Sequence, residues 1–253
     1  MINKLWLILL PLLFLSGLLI LVLGRNESED KFHSNQSTHP LVFFDKDTFY
    51  PGVERVKKEN KAFTDHASGG IIPHDLLPGF IITDFFGRLS KQQPKTIILI
   101  GPNHYERGDY RAVSSLYGWE TPFGTVEPES EIIGELVTDQ LVKIDEQVLA
   151  GDHSAAGIMP FIKYYLPDTK VVPILLSGFM TEGEAGVMKN FAYRQLFSLN
   201  NDYLDSPPSI ATLLMTMQTL GATKMELLYH TNSGQIQKND SIETTSYFSV
   251  IYY

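Results

Sequence analysis

Apolar stretches typical of strands alternate, along most of the chain, with stretches whose apolar residues recur at helical spacing. The clearest strand is KTIILIG, from Lys95 to Gly101, and KVVPILLS, from Lys170 to Ser177, is a second one. Between them, SEIIGELVTDQLV, from Ser130 to Val142, carries its apolar residues on one face of a helix. This alternation predicts an α/β fold in which helices cover both faces of a mixed, largely parallel sheet.

Further elements follow from the same patterns. Strands are predicted at 69–74, 224–230 and 245–253, and helices at 75–89, 154–166 and 207–222. The last of these helices begins with two prolines and ends near Gly221, which is the usual asymmetry of helix termini. Ligands of α/β folds bind beyond the carboxyl ends of strands. Polar residues that follow strands are therefore the first candidates for a site.

The N-terminal region has a different pattern from the rest. The stretch from Leu5 to Leu23 is uncharged and mostly apolar, long enough to cross a hydrocarbon layer of about 30 Å at about 1.5 Å per residue. We therefore predict a signal-anchor or transmembrane segment at 1–24, a polar tether at 25–40 and a globular domain at 41–253. This organisation predicts a single-pass protein of the cell membrane with the bulk of the chain extracytoplasmic; cleavage and secretion is the alternative.

Composition removes several function classes. The chain has a net charge of −9 and no basic stripe, which argues against binding to nucleic acid. It contains no cysteine, so disulfides, thiolate metal ligands and a cysteine nucleophile are excluded. The G-x-S-x-G, H-E-x-x-H and phosphate-loop motifs are absent as well. The candidate chemistry therefore rests on histidines.

Three histidines occupy positions that suit a shared site. His74 and His104 each follow a predicted strand, and His153 lies directly before a predicted helix. Neutral imidazole is a common metal ligand and transfers protons near neutral pH. Each histidine alone would more often have a capping or core role, but two at equivalent strand ends favour one site on one rim of the sheet. Asp152 is expected to orient the ring of His153.

The other histidines are given smaller roles. His33 and His39 lie in or beside the tether and are expected to be solvated and without function. His66 precedes a glycine-rich loop and is expected to have no role. His230 lies beside the polar turn TNSG and is an alternative ligand, although a plain position at a strand end is the commoner outcome.

Six motifs occur in an order that resembles the Memo-like family, whose bacterial members are called AmmeMemoRadiSam system protein B. They are IIPHDLLPG, ILIGPNHY, ETPFGTVE, DHSAAGIMPFIKYYLP, VVPILLSG and LLYHTNSG. The resemblance covers about Leu41 to Tyr253 and identifies 41–253 as a Memo-like domain. It implies the fold of the class III extradiol ring-cleaving dioxygenases, which use non-haem Fe(II).

The resemblance also implies site residues. His74 and His104 match the two metal-binding histidines, and a third ligand falls at about Gln235, where the family more often has Asp or Cys. His153 matches the histidine of an EHS motif, with Asp152 in place of the glutamate, and both are assigned to catalysis. The family normally has a histidine-bearing segment resembling SSDFSHY after VPILLSG. No histidine occurs between 178 and 229, so the domain is expected to lack a segment after about residue 177.

Together these observations predict a Memo-like metal-binding protein of unknown substrate, redox or dioxygenase-related, displayed outside the membrane. The expected cofactor is a divalent metal, iron first, with copper or zinc as alternatives. The expected partners are the membrane, through the N-terminal helix, and a small molecule or peptide, but no nucleic acid. The competing hypothesis is a non-catalytic module that binds a peptide or small ligand in the same cleft, with Tyr105, Trp119 and Phe123 as stacking surfaces. The sequence leaves open whether the chain is an enzyme.

Overall fold

Strands and helices alternate in the computed structural model, which describes residues 37–178, 205–239 and 244–253. The strands in these ranges are β1 (Thr38–His39), β2 (Gly69–Ile71), β3 (Thr96–Pro102), β4 (Ala112–Ser114), β5 (Gly118–Thr121), β6 (Gly124–Val126), β7 (Lys143–Ile144), β8 (Lys170–Leu176), β9 (Met225–Asn232) and β10 (Ser246–Tyr252). The helices are α1 (Lys46–Glu59), α2 (Gly79–Leu89), α3 (Ser130–Thr138), α4 (Glu146–Gly151), α5 (His153–Ala156), α6 (Met159–Tyr165), α7 (Pro207–Leu220) and α8 (Ser233–Gln237). The chain is an α/β protein, as predicted.

The described strands form three sheets, in the orders β1-β5-β6, β2-β10-β9 and β3-β8-β4-β7. β3 and β8 pair in parallel along their whole length, from Thr96 opposite Lys170 to Pro102 opposite Leu176. β5 and β6 pair antiparallel, because their short connection allows only a hairpin. Three of the described strand pairs are parallel and four are antiparallel. The sheets are mixed, as predicted, but the described part is not largely parallel.

Prolines explain why two predicted helices are shorter than expected. The helix predicted at 75–89 begins only at Gly79, after Pro78. The helix predicted at 154–166 is divided into α5 and α6, and Pro160 lies in the first turn of α6. A proline in a helix interior removes a hydrogen bond and crowds the carbonyl four residues earlier, a cost that α1 bears at Pro51, whereas the first turn tolerates proline because that N–H needs no partner. The division leaves His153 at the start of its own short helix.

The main core is built by residues of α1, α2 and α6 together with β5 and β8. Its largest fully buried side chains include Phe49, Trp119 and Phe161, and the rings of Phe49 and Phe161 lie 4.9 Å apart between centroids. Burial of a large apolar side chain contributes about 1.5–3 kcal/mol. This core fixes β8 and, through the parallel ladder, its neighbour β3, which leads into the candidate site.

The transmembrane part of the fold prediction is corrected by the structure. Within residues 37–178, 205–239 and 244–253, every helix is too short or too polar to cross a membrane. The predicted anchor at Leu5 to Leu23 lies outside these ranges. No described residue supports the predicted transmembrane helix, and the predictions built on it, namely the single-pass membrane localisation, the extracytoplasmic display and the membrane as a partner, are withdrawn.

Two other predictions lie partly outside the described residues. Most of the tether at 25–40 precedes them, and most of the region after residue 177, where a segment was expected to be missing, falls between 178 and 205. Contacts group Thr38–Tyr253 into one compact unit. The domain boundaries and the missing segment stay predictions.

Candidate metal centre

Three histidines converge where β2, β3 and α5 meet. His74, His104 and His153 each place a ring nitrogen within 4.8 Å of the other two. The Nε2 atoms of His74 and His104 are 2.7 Å apart, and the rings of His104 and His153 stack with centroids 4.5 Å apart. All three side chains are half-buried. The structure thus brings together the two histidines predicted as ligands and adds the one assigned to catalysis.

His74 and His104 come together for a different reason from the one that the sequence predicted. His74 follows β2 and His104 follows β3, but these strands belong to different sheets, not to one shared rim. Helix α7 packs against both β2 and β3. This bridging helix brings the two strand ends together, an arrangement that depends on tertiary packing and has no local signature.

A tyrosine of β10 fixes the turn that carries His74. The Asp75 carboxylate accepts a hydrogen bond from the Tyr247 hydroxyl at 2.6 Å and another from the Leu77 amide at 3.0 Å. Burial, followed by the hydrogen bond to Asp75, raises the pKa of Tyr247, so this hydroxyl remains a donor. Since β10 pairs with β2, the turn after β2 is held from the neighbouring strand.

The side chain of Asn103 closes the loop that carries His104. Asn103 donates from its amide nitrogen to the Arg107 carbonyl at 2.7 Å and accepts from the Arg107 amide at 3.2 Å. The Asn103 main-chain N–H also donates to the Leu176 carbonyl at 2.8 Å, which extends the β3–β8 ladder. His104 therefore leaves the sheet on a loop with little freedom.

Asp152 links the main chain of His104 to the start of α5. Its carboxylate accepts from the His104 amide at 2.8 Å, and from the amide and the hydroxyl of Ser154 at 2.9 and 2.7 Å. The side chain is almost completely buried, with 1% of the residue exposed. None of these contacts reaches the His153 ring, which Asp152 was expected to orient. Asp152 instead caps α5 and fixes the backbone of His104.

Asp205 is a neighbour of the cluster that the sequence did not reveal. Its Oδ2 lies 3.2 Å from Nε2 of His74 and 3.6 Å from Nε2 of His104. The only local signal was its position just before the two prolines that open α7. That signal indicates a helix start and says nothing about a ligand.

The environment of His74 favours its neutral form. Burial is the largest influence and lowers the pKa of His74; the Asp205 carboxylate opposes this effect, and the neighbouring His104 and His153 add to the lowering. The net direction is downward. A neutral imidazole carries the lone pair that a metal requires, so the side chain is available as a ligand at neutral pH.

The predicted ligand at Gln235 has other contacts in the structure. Gln235 is exposed in α8, its side-chain oxygen accepts from the Thr231 hydroxyl at 2.9 Å, and its amide donates to Asn232 at 2.8 Å. His230, the alternative ligand, is exposed on β9. The hydrogen bonds of Gln235 stay within β9 and α8, and the roles of Gln235 and His230 as ligands stay predictions.

The aromatic residues expected at the mouth of the cleft separate into two groups. Trp119 is buried in the core, and Phe123 packs against the same core with its ring stacked on Phe49. Tyr105 is 52% exposed, and its ring centroid lies 6.4 Å from those of both His104 and His153. The Arg107 guanidinium lies over the Tyr105 ring at 4.9 Å. Only Tyr105 of the three borders the histidines.

A second polar cluster surrounds His39 of β1, a residue that the sequence predicted to be solvated. His39 is 3% exposed, and its Nε2 lies 2.8 Å from the Ser115 hydroxyl and 3.1 Å from the Glu146 carboxylate. That carboxylate also accepts from the Leu116 amide at 2.9 Å. The prediction that His39 is solvated is therefore wrong. Because Ser115 and Glu146 share one ring nitrogen, the cluster cannot act as a relay, which needs them on opposite nitrogens.

Comparisons with known proteins point to the same family as the sequence motifs. Residues 53–196 match the family model described as Memo-like protein. A MEMO1 family protein of Pyrobaculum aerophilum is 33% identical over 115 residues, which are 44% of this chain and 41% of the relative. A MEMO1 family protein of Saccharolobus islandicus is 30% identical over 131 residues, 49% of this chain and 43% of the relative. The matched regions thus span less than half of each of these relatives.

Proposed function

Because the chain belongs to the Memo-like family, we propose that it binds a divalent metal ion through His74, His104 and His153. The observation that carries this proposal is the convergence of three ring nitrogens within 4.8 Å. Without a metal, the Nε2 atoms of His74 and His104 can act only as one donor and one acceptor of a single hydrogen bond at 2.7 Å. A bound cation would accept all three lone pairs at once.

The spacing suits a coordination sphere. At a metal–nitrogen distance of about 2.1 Å, neighbouring ligands lie about 3.0 Å apart at right angles and about 3.4 Å apart at tetrahedral angles. The Nε2 atoms of His74 and His104 are 2.7 Å apart, so a shift of a few tenths of an ångström would make room for an ion. His153 needs a rotation of its ring that its half-buried position allows.

Iron is the metal we propose for this centre. Imidazole ligands suit iron, copper and zinc, and the chain has no cysteine to favour a thiolate site. Histidines with open coordination positions are typical of non-haem Fe(II), which when bound supplies a site for small oxygen-containing ligands and for redox chemistry. The relation to extradiol dioxygenases, which the resemblance implies, stays a prediction. The proposed ligand role of His153 takes the place of the catalytic role that the resemblance assigned to it.

Metal analysis of the full chain tests this function. We expect about one iron per chain after anaerobic loading and desalting, and none in the double variant His74→Ala/His104→Ala. His66→Ala is the matched control, since His66 is an exposed loop histidine, and it should bind iron like the wild type. A wild-type chain that retains no iron, copper or zinc, or a double variant that retains as much as wild type, would contradict the proposal.

The exposed pair Tyr105 and Arg107 favours one alternative, a module that binds a peptide or small anionic ligand without catalysis. A guanidinium held over an aromatic ring presents a positive charge beside a flat apolar surface, which suits a carboxylate-bearing ligand. The test is a thermal-shift screen with short acidic peptides on metal-free protein. Stabilisation that persists in His74→Ala/His104→Ala and disappears in Tyr105→Ala would favour the module over the metal centre.

A further inference from the structure

The Asp205 carboxylate completes a triangle with the two closest histidine nitrogens. The three edges of this triangle are 2.7 Å between the Nε2 atoms, 3.2 Å from Asp205 to His74 and 3.6 Å from Asp205 to His104. Their lengths bracket the spacing of about 3.0 to 3.4 Å that separates neighbouring ligands of one metal ion. A simple ion pair needs one such contact, whereas here a single oxygen faces both nitrogens.

The other carboxylates near the cluster are already committed to protein donors. Asp75 accepts from Tyr247 and Leu77, and Asp152 accepts from His104 and Ser154. Neither contact set includes a histidine ring nitrogen. Asp205, whose side chain is 53% exposed, is thus the described carboxylate that contacts the ring nitrogens.

The Asp205 carboxylate would balance part of the positive charge of a bound metal ion. Three neutral imidazoles would leave the full double charge of the ion uncompensated in a half-buried site. A carboxylate ligand removes part of that charge and adds a hard oxygen donor, which favours iron or manganese over copper(I). Asp205 would also fill the place of the oxygen ligand that the resemblance put at Gln235, whose side chain contacts Thr231.

We propose that Asp205 is a carboxylate ligand of the metal centre formed by His74, His104 and His153. This proposal rests on the proposed metal-binding function. Asp205 lies two residues before α7, which packs against β2 and β3, so the helix that joins the two strand ends also positions the oxygen donor. The ligand set would then be three nitrogens and one oxygen, with positions left for a small ligand.

Cobalt(II) titration of the full chain tests the role of Asp205, because Co(II) reports its ligands through visible absorption. Asp205→Asn should weaken Co(II) affinity by about 10- to 100-fold and change the visible spectrum, while Asp205→Glu, which keeps the carboxylate, should restore part of the affinity. The matched control is Asp168→Asn. Asp168 is exposed just before β8, at the opposite end of the sheet from His104, and its loss removes the same charge.

The outcomes separate this inference from the function on which it rests. A wild-type chain that binds no Co(II), Fe(II) or Zn(II) would overturn the metal-binding function itself. Metal binding that requires His74 and His104 but keeps wild-type affinity and spectrum in Asp205→Asn would overturn only the role of Asp205. An equal loss in Asp168→Asn would assign the effect to net charge and would also overturn it. Circular dichroism of the metal-free variants verifies that each has folded.

Discussion

The cluster of His74, His104 and His153 and the cluster of His39, Ser115 and Glu146 use similar side chains in opposite ways. In the second cluster Nε2 of the buried histidine meets both Ser115 and Glu146, and its ring packs against the rings of Tyr117 and Trp119. In the first cluster ring nitrogens face each other and one side remains open to solvent. This contrast is the one expected between a histidine with a structural role and histidines proposed as metal ligands.

Asp152 both holds the His104 backbone and caps α5, which begins with His153. Its substitution should therefore have the largest effect on stability. Asp152→Ala leaves the amides of His104 and Ser154 without their buried acceptor, and we expect a loss of about 3–5 kcal/mol in unfolding free energy. Urea denaturation measures it. Ser154→Ala, which spares the bond to His104, should cost clearly less; equal losses would show that the His104 contact contributes nothing.

Metal should stabilise through the open cluster alone. An ion that binds only the folded chain adds about 2.7 kcal/mol at a free concentration of 100 times its dissociation constant. We therefore expect Co(II) to raise the melting temperature of the wild type and of His39→Ala, but not of His74→Ala/His104→Ala. A shift that vanished in His39→Ala would erase the distinction between the clusters.

The buried cluster should affect stability without affecting metal content. His39→Ala removes a hydrogen-bonded imidazole and its ring packing, and we expect a loss of about 2 kcal/mol. Chemical denaturation gives the stability and elemental analysis the metal content. Reduced metal content in a variant that is still folded would show that His39 acts on the site.

Glu146 should give the smallest effect, a change in the pH dependence of stability. Burial would raise its pKa, but hydrogen bonds from His39, Ser115 and the Leu116 amide outweigh burial and lower the pKa below 4.5. The unfolded chain then takes up this proton first, so stability is complete above about pH 4.5 and falls as the pH drops further. Glu146→Gln should lose less stability between pH 5 and 3; identical slopes would contradict the assignment.

The elements with strong periodicity were predictable, and so was part of the site. Local sequence specifies three elements. They are β3 and β8, with their apolar runs, and α7, which begins with two prolines and ends at Gly221. His104 could be placed at a strand end because the strand before it is unmistakable. The resemblance pointed to His74 as its partner.

The remaining features depend on contacts between distant parts of the chain. His39 lies in a two-residue strand that pairs with β5 about eighty residues later, so its polar surroundings in the sequence gave no sign of burial. Asp205 reaches the histidines because α7 packs on two strands of different sheets. The division of the helix predicted at 154–166 is visible in the sequence only as Pro160, whose effect was underestimated.

One consequence of the Asp152 contacts concerns when the residues of the centre become ordered. The carboxylate holds the His104 amide and the start of the helix that begins with His153, so folding itself places the two backbone segments that carry these imidazoles. The ordering entropy of these segments is thus lost when the chain folds, and an ion that binds there would have only the imidazole rings left to order.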